Sequence, residues 1–97
     1  DGATQEMTNS QTFNYDKALE VLKEIREYVD FPQFQTTFKE NSENVKAIIE
    51  DTIKAVENKE DVGIVKKSLR ILKDLAVGAS GSLIASGIIA LLGTLLL

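Results

Sequence analysis

The sequence predicts an all-α fold: an antiparallel helical hairpin followed by a long or bent hydrophobic C-terminal helix, together a three- to four-helix bundle. Three observations point there. Apolar residues recur at spacings of three and four through most of the chain, the period of a half-buried helix. Strand signals are weak, and no hairpin turn pair such as Asn-Gly occurs. The last 22 residues, AVGASGSLIASGIIALLGTLLL, carry no charge, no proline and no aromatic ring.

At 97 residues the expectation is one domain, with little stability to spare. Residues 1–13 read as a polar lead-in and residues 14–97 as a single helical domain, of which 75–97 form an uncharged hydrophobic tail helix. The opening DGATQEMTNSQT is polar and does not read as a secretory signal.

The first helix runs from Tyr15 toward Asp30. Tyr15, Ala18, Leu22, Ile25 and Val29 form its stripe, widened by Leu19, Val21 and Tyr28. Asn14 is placed to cap it, and Pro32 disfavours helical geometry at Phe31, which ends it. The second helix starts at Pro32 or at Thr37, where Thr37-x-x-Glu40 fits a capping box. Phe34, Phe38, Val45, Ile49, Thr52 and Val56 stay on one face, broadened by Ile48 and Ile53. One helix over about 33–58 is therefore expected, with an irregularity at Asn41-Ser42. Phe31, Phe34 and Phe38 read as core residues around the first turn. NKED is a turn, and Asp61 can cap a third helix whose apolar face is Ile64, Val65, Leu69, Leu72, Leu75 and Ala76.

No proline or polar turn cluster separates that helix from the tail, but Gly78 and Gly81 each cost about 1 kcal/mol inside a helix and make a bend plausible. A continuous helix over 61–97 would reach roughly 55 Å, of which the first two helices can cover about the first half. Its rear half is apolar on all sides and must be buried somewhere. Three readings follow. The tail spans a bilayer: residues 75–97 are long enough, and Lys66, Lys67, Arg70 and Lys73 before them fit the positive-inside pattern, although glycine and serine dilute the front half. Alternatively the tail is buried by protein, in this chain's bundle, an oligomer or a partner. Or residues 78–82 form a loop and a short helix over 83–97 folds back.

In every reading the small residues allow close helix packing. Gly78, Ser82, Ser86 and Ala90 recur every four residues as a candidate association face, with Ile84, Ile88, Leu91, Leu92 and Leu95 as its packing residues. Lys66, Arg70 and Lys73 share one face of the preceding helix, with Lys67 nearby. That row is either a solvated surface or a contact with lipid head groups or with the acidic first two helices of a neighbouring copy.

Several chemistries are excluded. The chain has no cysteine and no histidine, which removes disulfides, cysteine nucleophiles and histidine-based triads, and leaves structural zinc without its usual ligands. Glu50-Asp51 and Glu60-Asp61 are adjacent pairs that diverge by about 100° on a helix, so they do not form an acid/base site. GASGS is neither a nucleophile elbow nor a phosphate loop. Net charge is −4, with seven basic and fourteen acidic residues in 1–61. That balance argues against nucleic-acid binding. No catalytic, cofactor or metal site and no small-molecule substrate is evident.

The stretch SLRILKDLAVGASGSLIASGIIALLGTLL resembles C-terminal helical segments of uncharacterised bacterial proteins, some of them defence-associated. In these an acidic helical hairpin leads into an LK…G..GS..A.G…LL helix. The resemblance spans roughly residues 15–97 and implies an all-α accessory or effector module; it carries over no site residue.

The functional expectation is a non-enzymatic association module whose tail helix self-associates or docks into a helical partner. The alternative is a tail-anchored or pore-type membrane protein. The corresponding location is cytoplasmic, or membrane-anchored and facing the cytoplasm.

Overall fold

A computed structural model of the chain describes residues 13–79 and 81–95. Most of the expected lead-in (1–12), Ser80 and the last two leucines lie outside the described residues. Five α-helices are present among the described residues: α1 (Tyr15–Tyr28), α2 (Pro32–Phe38), α3 (Ser42–Glu57), α4 (Val62–Gly78) and α5 (Leu83–Gly93). A 3-10 turn, Lys39–Asn41, separates α2 from α3. The all-α class holds.

The helix ends follow from local chemistry. Asn14 caps α1, its side chain accepting from the Lys17 N–H at 3.0 Å. Pro32 sits in the first turn of α2, after an extended Phe31 (φ −80°, ψ 138°), the geometry that a following proline imposes. Asp61 caps α4 by accepting from the Gly63 N–H at 3.0 Å. Phe13, just ahead of α1, packs edge-on against Tyr15 with ring centroids 5.1 Å apart.

Two expectations are corrected. The single helix over 33–58 is broken at Lys39–Asn41. Lys39 adopts φ 51°, a left-handed value that ends α2, and the Ser42 hydroxyl then donates to the Lys39 carbonyl at 2.7 Å. Phe34 and Phe38, with ring centroids 5.0 Å apart, both enter the core ahead of the break. The Thr37-x-x-Glu40 box starts no helix.

The second correction concerns the tail. It is not one long helix continuing from 61; it folds back, the third of the readings above. Gly81 has φ +106°, a value L side chains rarely adopt. Ser82 then caps α5, its hydroxyl accepting from the Ile84 and Ala85 N–H groups at 3.1 and 3.4 Å. At about 1.5 Å per residue, α5 is roughly 17 Å long, and it packs against α4.

The packing is a ring of four helices. α1 contacts α3 and α5, and α4 contacts the same two, so α1 and α4 face each other across the diagonal. α1 and α4 run one way, α3 and α5 the other. The short α2 crosses one end, against α3 and the start of α5. Every helix contributes to a single core: Ala18, Leu22 and Ile25; Phe34; Val45 and Ile49; Val65, Leu69 and Leu72; Ala85, Ile88 and Leu92 are all fully buried.

Two buried positions among the described residues are polar, Ser42 and Thr52. Thr52 is fully buried, and its hydroxyl donates to the Ile48 carbonyl of its own helix at 2.6 Å. Since that carbonyl is already part of the α-helical ladder, Thr52→Val removes donor and need together. The expected change in unfolding free energy is within about 1 kcal/mol of zero. Urea titration checks it; a loss of several kcal/mol would show that the hydroxyl has a further partner.

Candidate association surface

The core takes the apolar side of α5. Ile84, Ala85, Ile88 and Leu92 are buried in the bundle, and Leu91 and Leu95 are half-buried against it. These residues, expected on the association face, pack within their own chain. What α5 offers outward is Leu83, Ser86, Ala90 and Gly93, with Thr94 just beyond. None is charged, and Leu83 is 91% exposed. The other long helices are unlike it. α1 exposes Asp16, Lys17, Glu20, Lys23, Glu24, Arg26 and Glu27; α3 exposes Glu43, Glu50, Asp51, Lys54 and Glu57; α4 exposes Lys67, Arg70 and Asp74 beside the apolar Ile64, Ile71 and Val77.

The Gly78-Ser82-Ser86-Ala90 face is not continuous. The fold-back leaves Gly78 at the end of α4, while Ser82 is the cap of α5 and Ser86 and Ala90 lie on its exposed side. The Ser82 hydroxyl also shares a 2.7 Å hydrogen bond with that of Thr37 on α2. Gly78 and Gly93 have open space where a side chain would be. The glycine that permits close packing is Gly87, absent from the expected face. A Cβ there would lie 2.7 Å from the Tyr28 hydroxyl and 3.1 Å from its Cζ. Tyr28 of α1 thus rests directly on the α5 backbone. A glycine near the middle of a helix, with an aromatic residue at the end of another, was the available signal.

Two depressions border the α5 N-terminus. One is an open cleft of about 900 Å³ between α2, the 3-10 turn and the end of α4, with Lys39, Glu40 and Asp74 among its lining residues. The other, about 480 Å³, is walled by Tyr28, Phe31, Gln33 and Leu83. Phe31 is half-exposed there and edge-on to Tyr28 at 5.7 Å, so one member of the expected Phe31, Phe34, Phe38 core cluster is at the surface.

Compared with protein-family models, with curated proteins and with solved structures, the chain matches none.

The expected basic row is present. Arg70 and Lys67 are exposed, and Lys66 and Lys73 are half-buried along α4. The carboxylate pairs do not converge on a pocket: Glu50 lies 3.5 Å from Arg26, and Asp61 is occupied as a cap. Among the described residues no group of three or more metal-ligating side chains comes together. None of the described helices is long and apolar enough to cross a membrane; the fold-back divides the uncharged run between α4 and α5.

Proposed function

We propose that the chain is a non-enzymatic helical association module, and that the outward face of α5 is where it meets another helix. The observation that carries this is the uncharged exterior of α5. A helix whose outer side faces only water normally bears charged residues there. Here that side is Leu83, Ser86 and Ala90, with the leucine almost fully exposed. Small residues let a second helix approach closely, and Leu83 supplies an apolar anchor.

The fold-back changes the role of the tail. Its most hydrophobic residues are used internally, so the association surface is narrow. It consists of the outer face of α5 and the flanks of its two neighbours, α4 and α1.

Ala90→Glu tests the proposal. Ala90 is exposed and the helix end is near, so the substitution should leave folding intact, within about 0.5 kcal/mol. It should, however, place a charge in the middle of the contact and abolish association. Light scattering on the parent chain over a range of concentrations, followed by the variant, reads this directly. A parent chain that assembles while Ala90→Glu assembles equally well places the contact elsewhere.

A further inference from the structure

We propose that copies of this chain close into a ring, with its axis along the helices and α5 innermost, the α4 flank of each copy packing against the α1 flank of the next. The proposal rests on the association reading above and names the partner as a second copy.

Two rows of residues lead to it. On α1, Arg26 reaches Glu50 of α3, and it directly follows the buried Ile25. Successive helical residues lie about 100° apart. So a residue just after a buried one turns toward α3, and one just before it turns toward the α5 side. Glu20 precedes buried Val21 and Glu24 precedes Ile25. Glu27 precedes Tyr28, whose ring rests on Gly87 of α5.

A half-turn about the bundle axis carries α1 onto α4 and α3 onto α5. On α4, then, the residues just after buried ones flank α5: Lys66 after Val65, Arg70 after Leu69, Lys73 after Leu72 and Val77 after Ala76.

The rows have the same spacing. Glu20, Glu24, Glu27 and Phe31 are separated by four, three and four positions, as are Lys66, Arg70, Lys73 and Val77. The feet of the two helices are at the same end of the bundle, within reach of one tyrosine side chain: the Tyr15 hydroxyl at the foot of α1 donates to the Glu60 carbonyl beside the foot of α4 at 2.6 Å. Glu20, Glu24 and Glu27 form no ion pair with another described residue.

Symmetry decides how the rows can meet. A rotation axis parallel to the helices preserves height, so it brings the basic row of one copy level with the acidic row of the next. A two-fold axis across the helices would instead set each row against itself, with Arg70 facing Arg70. In a four-helix ring the α4–α5 and α5–α1 sides meet at about a right angle, so four copies fill the turn and the exposed Leu83, Ser86 and Ala90 line its centre. Above the charges, half-exposed Val77 of one copy meets the depression formed by Tyr28, Phe31 and Leu83 of the next. The exceptions in sign do not oppose the match: in the same pairing Lys17 falls opposite Gly63, and Asp74 opposite Tyr28.

The test is a charge swap on the full chain. Glu24→Arg and Arg70→Glu, both at exposed positions, should each raise the concentration for half-dissociation by roughly tenfold, and the double variant should recover most of that loss. The absence of native cysteine allows a second readout. Glu24→Cys combined with Arg70→Cys, treated with a short bismaleimide, should give covalent species up to four chains and no further. Each single cysteine variant should give far less product. A double reversal no better than the singles, or a cross-linked ladder without an upper limit, overturns the ring. An assembly that Ala90→Glu dissolves and neither reversal weakens removes the ring alone. A chain that stays monomeric at every concentration removes the association reading with it.

Discussion

Ile88→Ala should lower the unfolding free energy by about 2–5 kcal/mol, the range for deleting most of a fully buried aliphatic side chain. Ile88 has no exposed surface and sits in the middle of α5, with Ile84 and Leu92 one turn to either side. A small domain holds only about 5–15 kcal/mol in total, so this one change removes a large share. The measurement is a urea transition followed by far-UV circular dichroism on the Ala90→Glu background, where assembly adds nothing to stability. The midpoint should fall while the slope stays constant. An unchanged midpoint would mean that the tail is not part of the chain's own core, and the fold-back would be wrong. The comparison position is Leu91, next to the core but half-buried, where the same truncation should cost less.

This experiment addresses the feature that the sequence left open. Most helices were legible, because their stripes and caps are local: Ala18, Leu22 and Ile25, or Asn14 and Asp61, mean the same thing in any context. The break after Phe38 was legible only as an irregularity, placed at Asn41-Ser42 rather than at Lys39–Asn41. It depends on Lys39 adopting a left-handed conformation that no local preference of lysine announces, just after Phe34 and Phe38 enter the core. Tertiary packing won over a continuous apolar stripe. The tail was ambiguous for a different reason. Its apolar residues satisfy a bilayer, a partner or the chain's own bundle equally well; the turn at Gly81, with φ +106°, is what brings α5 back onto the bundle. GASGS offered that loop without requiring it.

The candidate surface was legible in part. Ser86 and Ala90 are exposed on α5, and the spacing of Lys66, Arg70 and Lys73 sets them on one flank of α4. Gly78 fell away because the face was drawn on a helix that does not run through it. Leu83 was missed because a leucine in an apolar run carries no sign of which way it points. That follows only once Ser82 is known to be the cap, which makes Leu83 the first residue of the helix. The acidic row on α1 was visible as charge but not as a row, since its meaning comes from the height of α1 relative to α4.

The second large effect is expected at Gly87, with a sign that depends on Tyr28. In an exposed helix Gly87→Leu would be stabilising by about 1 kcal/mol through propensity. Here the new Cβ meets the Tyr28 ring at 3.1–3.3 Å and its hydroxyl at 2.7 Å, and the rest of the leucine has to displace the ring altogether. Overpacking of that kind costs about 1–3 kcal/mol, so the net change in the parent chain should be destabilising. With Tyr28→Ala already in place the obstacle is gone, and Gly87→Leu should turn neutral or stabilising. The coupling between the two sites, from a double-mutant cycle, should reach about 1–3 kcal/mol. Additive effects would mean that Tyr28 does not rest on α5. The same seat shapes the outer surface. Tyr28 forms one wall of the depression that Phe31 and Leu83 complete, so prying it off α5 should also weaken assembly, even though Gly87 itself is not on the outer face. A variant that loses stability yet assembles at the parent's concentration would separate the internal packing from the contact surface and leave the depression without a role in it.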